Sequence, residues 1–146
     1  MMKKRTLFTA VLALSLLAGA CSSSGSDGIV VDDPWGRSSP MAANNGAFYM
    51  TIKGSDVDDR LVAAYASVCG ATELHQTIVT DGVMRMQQAE GGIEIPAGGE
   101  AVLAPGGYHM MCINKDIEFK VGDVIPLTLT FETAEMQTVD AEIREG

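Results

Sequence analysis

Reactive side chains are scarce in this chain, which has two histidines, three cysteines and one tryptophan in 146 residues. No Gly-x-Ser-x-Gly elbow, phosphate loop, His-Glu-x-x-His helix or serine triad occurs, so the sequence offers no catalytic framework. Basic residues are few as well, ten Lys and Arg against nineteen Asp and Glu. Beyond residue 20 the balance is seven bases to 19 acids, a net charge of −12. A surface of that sign repels nucleic acid and anionic headgroups, and it attracts cations only diffusely, without metal selectivity.

Long apolar runs are missing except at the start. Lys3, Lys4 and Arg5 precede an apolar stretch, Thr6 to Ala20, that is too short for a stable membrane span. With Leu17-Ala18-Gly19-Ala20 before Cys21, residues 1–20 read as a lipoprotein signal peptide, and Cys21 as the lipidated mature N-terminus. Residues 21–28, with the run SSSGSDG, then form the anchor and a flexible tether. This pattern places the protein outside the cytoplasm, in the cell envelope, held to a bacterial membrane by lipid. Residues 29–146 are the size of one domain.

Helical periodicity is the next absence. Short alternating or β-branched runs separated by turn signals describe an all-β sandwich of about nine short strands. The strand-like runs are Ile29–Asp32, Ala47–Lys53, Arg60–Ala66, Thr72–Val79, Met84–Ala89, Glu100–Leu103, His109–Asn114, Val124–Phe131 and Gln137–Ile143. Only Asp58–Ala66 also admits a turn or two of helix. Asp81-Gly82 between two strand-like runs is a hairpin signal, because both central residues of a type I′ turn need positive φ.

Against this sparse background stand His75, Met86, His109 and Met111, spread over 37 positions. Imidazole plus thioether, with no thiolate, suits a soft reduced metal ion, above all Cu(I). Thioethers have no proton to lose and cannot be locked into disulfides, so they serve well in an oxidising compartment. Strand alternation puts His109 and Met111 on one face and Met110 and Cys112 on the other. Met84 shares a face with Met86 and is a candidate extra ligand. The ligand-bearing strand ends are expected to converge at a shallow rim, since the bound ion would leave a net positive charge that resists deep burial. Once Cys21 carries lipid, Cys69 and Cys112 remain, either as a disulfide or as two buried free thiols. A disulfide closing about 43 residues would add roughly 3–4 kcal/mol in the chain-entropy model.

These residues sit in a longer string of motifs. His75, ten residues, Met86, 22 residues, then His109-Met110-Met111 follow one another, flanked by Glu73-Leu74-His75, Asp81-Gly82-Val83-Met84-Arg85-Met86, Ile95-Pro96-Ala97-Gly98-Gly99 and Pro105-Gly106-Gly107-Tyr108-His109. Upstream lie Trp35-Gly36-Arg37 and Gly46-Ala47-Phe48-Tyr49-Met50-Thr51-Ile52. Together they resemble the PCu(A)C family of periplasmic copper chaperones over nearly all of residues 29–143. One more residue than usual separates Met86 from His109, which an extra glycine at Gly91-Gly92 explains. The resemblance implies a cupredoxin-like Greek-key β-sandwich holding one Cu(I) through His75, Met86, His109 and Met111. It implies delivery to an envelope cuproprotein, the copper subunit of cytochrome c oxidase or a thioredoxin-like assembly factor. The protein is expected to be a monomer, and its acidic surface to leave it without a nucleic-acid partner. Two other classes stay open: a blue-copper-type electron carrier using Cys112, and an interaction sandwich without metal.

Overall fold

A computed structural model describes residues 28–146, and the leader, Cys21 and most of the tether lie outside the described residues. Ten strands and no helix make up the described chain. They are β1 (Val30–Arg37), β2 (Gly46–Lys53), β3 (Asp59–Tyr65), β4 (Cys69–Thr80), β5 (Val83–Gln88), β6 (Ile93–Ile95), β7 (Glu100–Leu103), β8 (Tyr108–Lys115), β9 (Val124–Phe131) and β10 (Gln137–Arg144). The architecture is all-β and cupredoxin-like. The strand absent from the sequence reading is β6, which has three residues and pairs only with β3. The helical alternative over Asp58–Ala66 is replaced by β3, whose Leu61 enters the core while Val62 and Tyr65 face water.

All ten strands join in one hydrogen-bonded sheet, ordered β5-β4-β8-β7-β2-β1-β10-β9-β3-β6, with β8 also pairing directly with β2. Most pairs are antiparallel; β1 and β10 run parallel, as do β7 and β8. The sheet rolls over, so that β3 returns against β4, where the Thr72 hydroxyl donates to the Ala64 carbonyl. Alternation fills the interior. Ile125, Leu127, Leu129 and Phe131 point inward from β9, Met110 and Cys112 from β8, and Phe48, Met50 and Ile52 from β2, in one continuous cluster.

Strand β2 is buried on both faces, because the core covers Phe48 and Met50 while Trp35 of β1 stacks on Tyr49 with ring centroids 4.6 Å apart. The strand can cross the middle of the molecule because Gly46 lacks a side chain. A Cβ there would lie 2.4 Å from the Phe119 ring. The β4–β5 hairpin turns on Asp81 (φ 52°) and Gly82 (φ 77°), the left-handed pair that a type I′ turn requires.

Two polar anchors tie the loops to this frame. The buried carboxylate of Asp59 accepts backbone N–H bonds from Arg60 at 2.7 Å, Thr133 at 2.9 Å and Ala134 at 2.8 Å. Burial alone would raise its pKa, but these donors outweigh it and hold the group below the usual carboxylate value. At the other end of the sheet the buried Lys115 ammonium donates to the Pro40 carbonyl at 2.8 Å. It thereby pins the loop before β2, which walls one side of the cleft described next.

Candidate metal centre

Register brings the four sequence-selected side chains onto one face of the β5-β4-β8 part of the sheet. His75 lies directly across from His109 on the β4–β8 ladder, and Met111 lies across from Glu73. Met86 is paired with Thr77, two residues along β4 from His75 and on the same face. Directly opposed residues have Cβ atoms about 4.5–5.5 Å apart, and diagonal ones remain within reach of long side chains. The two imidazoles meet edge to face, 5.7 Å between centroids. Leu74, Met110 and Cys112 project from the opposite face into the core.

Arg37, Tyr49, Thr77, Met86, His109 and Met111 are among the residues that line a cleft of about 330 Å³. His75 is on the same face with its ring against that of His109, but it is half-buried and does not line the cleft. The site is graded rather than uniformly shallow. His109 is only 4% exposed and Met86, on the outermost strand, is 61% exposed. The cause is the covered face of β2: the Tyr49 ring lies 6.4 Å from the His109 ring and shields it from water. Met84 is further along β5 toward the hairpin tip, on the same face but outside the cleft.

Hydrogen bonding determines which ring nitrogen of each histidine keeps its lone pair free. His109 Nδ1 is 3.1 Å from the Gly107 carbonyl oxygen. A carbonyl only accepts, so Nδ1–H is the donor, and Nε2 of the neutral ring carries the lone pair. Burial lowers the His109 pKa; the Gly107 bond opposes the shift, and the neighbouring His75 adds to it. The result favours the neutral, metal-binding form. His75 Nε2 lies 2.7 Å from a carboxylate oxygen of Glu73, again an obligate acceptor. Its Nδ1 is buried with no hydrogen-bond partner. A buried polar atom without a partner is costly, and here it marks an atom free to bind a ligand.

Among the described residues no three His, Cys, Asp or Glu side chains cluster to hold a metal. The other soft donors on this face within the cleft are the thioethers of Met86 and Met111. The arrangement offers two neutral imidazole nitrogens and two sulfurs, a donor set for a soft monovalent ion. Sequence reasoning assigned no role to Glu73, Tyr49 or Thr77. Glu73 was reachable, since i and i+2 on a strand share a face with His75; Tyr49 and Thr77 depend on cross-strand register.

Cys69 and Cys112 are joined in a disulfide, with Cα atoms 5.3 Å apart. It links the first residue of β4 to β8 and faces away from the cleft. Cys112 is fully buried and its sulfur is engaged, so it has no free thiolate for copper.

The family model LpqE-like matches residues 29–143. A protein of Leifsonia xyli subsp. xyli named "Putative lipoprotein Lxx21020" is 31% identical over 121 residues, covering 82% of this chain and 71% of that protein. In structure, the chain is similar to the apo PCuAC domain from PmoF1, at 26% identity and a TM-score of 0.67, covering 81% of this chain and 94% of that domain. The copper-bound PCuAC domain from PmoF2 shares the fold at 24% identity and a TM-score of 0.68, over 81% and 93% of the two chains. Its matched residues, which span every strand, and its tertiary structure agree: this chain belongs to the LpqE-like family, built on the PCuAC fold that its sequence motifs resemble.

Proposed function

We propose that this protein is an extracytoplasmic copper carrier. It holds one Cu(I) through His75, Met86, His109 and Met111 and passes it to an envelope cuproprotein. The acceptor is the copper centre of cytochrome c oxidase or a thioredoxin-like assembly factor that serves it. Lipidation at Cys21 would keep the domain on the membrane, with residues 22–28 as the tether. The relative named as a lipoprotein supports this placement.

One observation carries the reading. The sheet register gathers two imidazoles and two thioethers on one face, and the hydrogen bonds leave one nitrogen of each ring free. A fold that is copper-bound in the PmoF2 domain is in keeping with it. The graded burial gives the carrier its chemistry. His109, shielded by Tyr49, is the anchoring ligand. Met86, exposed on an edge strand, is the ligand an incoming acceptor reaches first, so transfer proceeds by exchanging the outer thioether before the inner imidazoles. Cu(I) is cargo here, and no bond of a substrate is made or broken: the protein acts as a carrier rather than an enzyme.

The electron-carrier alternative needs a Cys112 thiolate, and that sulfur is in a disulfide on the core face. Titration of the mature protein with Cu(I) against a chromogenic chelator, under reductant, tests the reading. Met86→Leu and His109→Ala are each expected to weaken binding by at least tenfold, while Met84→Leu leaves it unchanged. Unaltered affinity in Met86→Leu or His109→Ala removes that residue from the site. Absence of Cu(I) binding by the wild type would leave an interaction sandwich.

A further inference from the structure

The Glu73–His75 pair remains unexplained by the four-ligand set. Glu73 precedes His75 by two residues on β4, shares its face, and stands across β8 from Met111. Its carboxylate lies 2.7 Å from His75 Nε2, and among the described ion pairs it has no Lys or Arg partner. The Glu73 side chain is over one-third exposed, whereas that of His75 is 16% exposed. A half-exposed carboxylate that bonds a more deeply covered imidazole constrains that ring.

The ring nitrogens show what. A carboxylate only accepts, so Nε2–H must point at Glu73. The other nitrogen, Nδ1, is then left buried and unpartnered, in a ring whose centroid is 5.7 Å from that of His109. Metal-binding histidines commonly donate their second ring N–H to a carboxylate, which fixes the tautomer and raises the basicity of the ligating nitrogen. Charge points the same way. Two neutral imidazoles and two neutral thioethers leave Cu(I) with its full positive charge in a partly buried site, where an uncompensated ion is costly. Among the described residues Glu73 is the one acid bonded to a member of the ligand set.

We propose that Glu73 is the positioning residue of the copper site: its carboxylate holds the Nε2–H of His75, presents Nδ1 to the metal, and offsets the charge of bound Cu(I). The proposal rests on the copper reading above. It makes the two histidines inequivalent, His75 binding through Nδ1 under a carboxylate and His109 through Nε2 under a backbone carbonyl. The anionic partner therefore belongs to one ligand only, on the strand between the buried and exposed sides of the cleft.

Two measurements on the mature protein test it. Ring-nitrogen NMR of the Cu(I)-loaded, 15N-labelled protein is expected to show His75 protonated at Nε2 and coordinated at Nδ1, with His109 reversed. In chelator competition, Glu73→Leu loses the acceptor and the charge and is expected to weaken Cu(I) binding by about 10–100-fold, the usual effect of removing such a partner. Glu73→Gln keeps a carbonyl acceptor without the charge, so it retains the His75 tautomer and loses less affinity than Glu73→Leu. Coordination of His75 through Nε2, or wild-type affinity in both variants, overturns the inference while the carrier reading stands. A wild type that takes up no Cu(I) at all overturns both.

Discussion

The disulfide makes the most quantitative claim on the stability of the fold. Cys69 and Cys112 are 43 residues apart in sequence, and their bond ties the start of β4 to the middle of β8. In the chain-entropy model a loop of that length restricts the unfolded chain by an amount equivalent to about 4 kcal/mol at 25 °C. The perturbation to make is the double substitution Cys69→Ala with Cys112→Ala. Alanine is preferable to serine at 112, because that position is fully buried and a hydroxyl there would lack a partner. Losing the buried sulfur adds a small cavity term, so the expected total is about 3–5 kcal/mol. For a domain of this size that corresponds to a fall in melting temperature of roughly 10–20 °C. Urea unfolding followed by the fluorescence of Trp35 reads the change, and the slope with denaturant should also rise, since the unlinked chain exposes more surface. Because both sulfurs lie behind the sheet, the folded variant should bind Cu(I) as the wild type does. A loss below about 1 kcal/mol would refute the loop-closure argument, and a collapse of copper affinity in the still-folded variant would refute the separation of the two faces.

Two further predictions concern titrating groups. Asp59→Ala removes an acceptor for three backbone donors in a buried corner, and is expected to cost about 2–4 kcal/mol in chemical denaturation. The folded pKa of Asp59 is lowered, so its contribution is present above the unfolded value of 3.8 and is lost as pH falls through the folded one. The acid limb of the wild-type stability curve should accordingly flatten in the variant, and an unchanged limb would count against the assignment. For His109 the folded pKa is lowered from 6.5, so the unfolded chain binds the extra proton first, and stability rises with pH through that window and levels off above 6.5. An NMR titration of the apo protein should give a His109 midpoint below 6.5. A midpoint at or above that value would mean that the ring is not shielded by Tyr49 as described.

How far the chain could be read before folding varies by element. The period-2 pattern of β8 correctly separated His109 and Met111 from Met110 and Cys112, because successive side chains of any regular strand take opposite faces. The Asp81-Gly82 turn was legible for a similar reason, its positive φ values being a local demand on residue type. Strand β6 was not legible. Three residues with a central glutamate carry too little pattern, and β6 exists through its pairing with β3, more than thirty positions away in sequence. The double pairing of β8, with β4 on one edge and the start of β2 on the other, is equally non-local.

The four metal-binding candidates divide along the same line. The sequence by itself determined their identity, their soft and neutral chemistry, and which of them share a strand face, since residue type and backbone alternation are local properties. Only the tertiary structure decided that His75 stands across from His109, that Tyr49 buries one ring while Met86 stays in water, and that Glu73 claims one nitrogen of His75 and leaves the other free. Those outcomes depend on register between distant strands. Register is set by how the whole sheet closes over its core, and no segment of the chain carries that on its own.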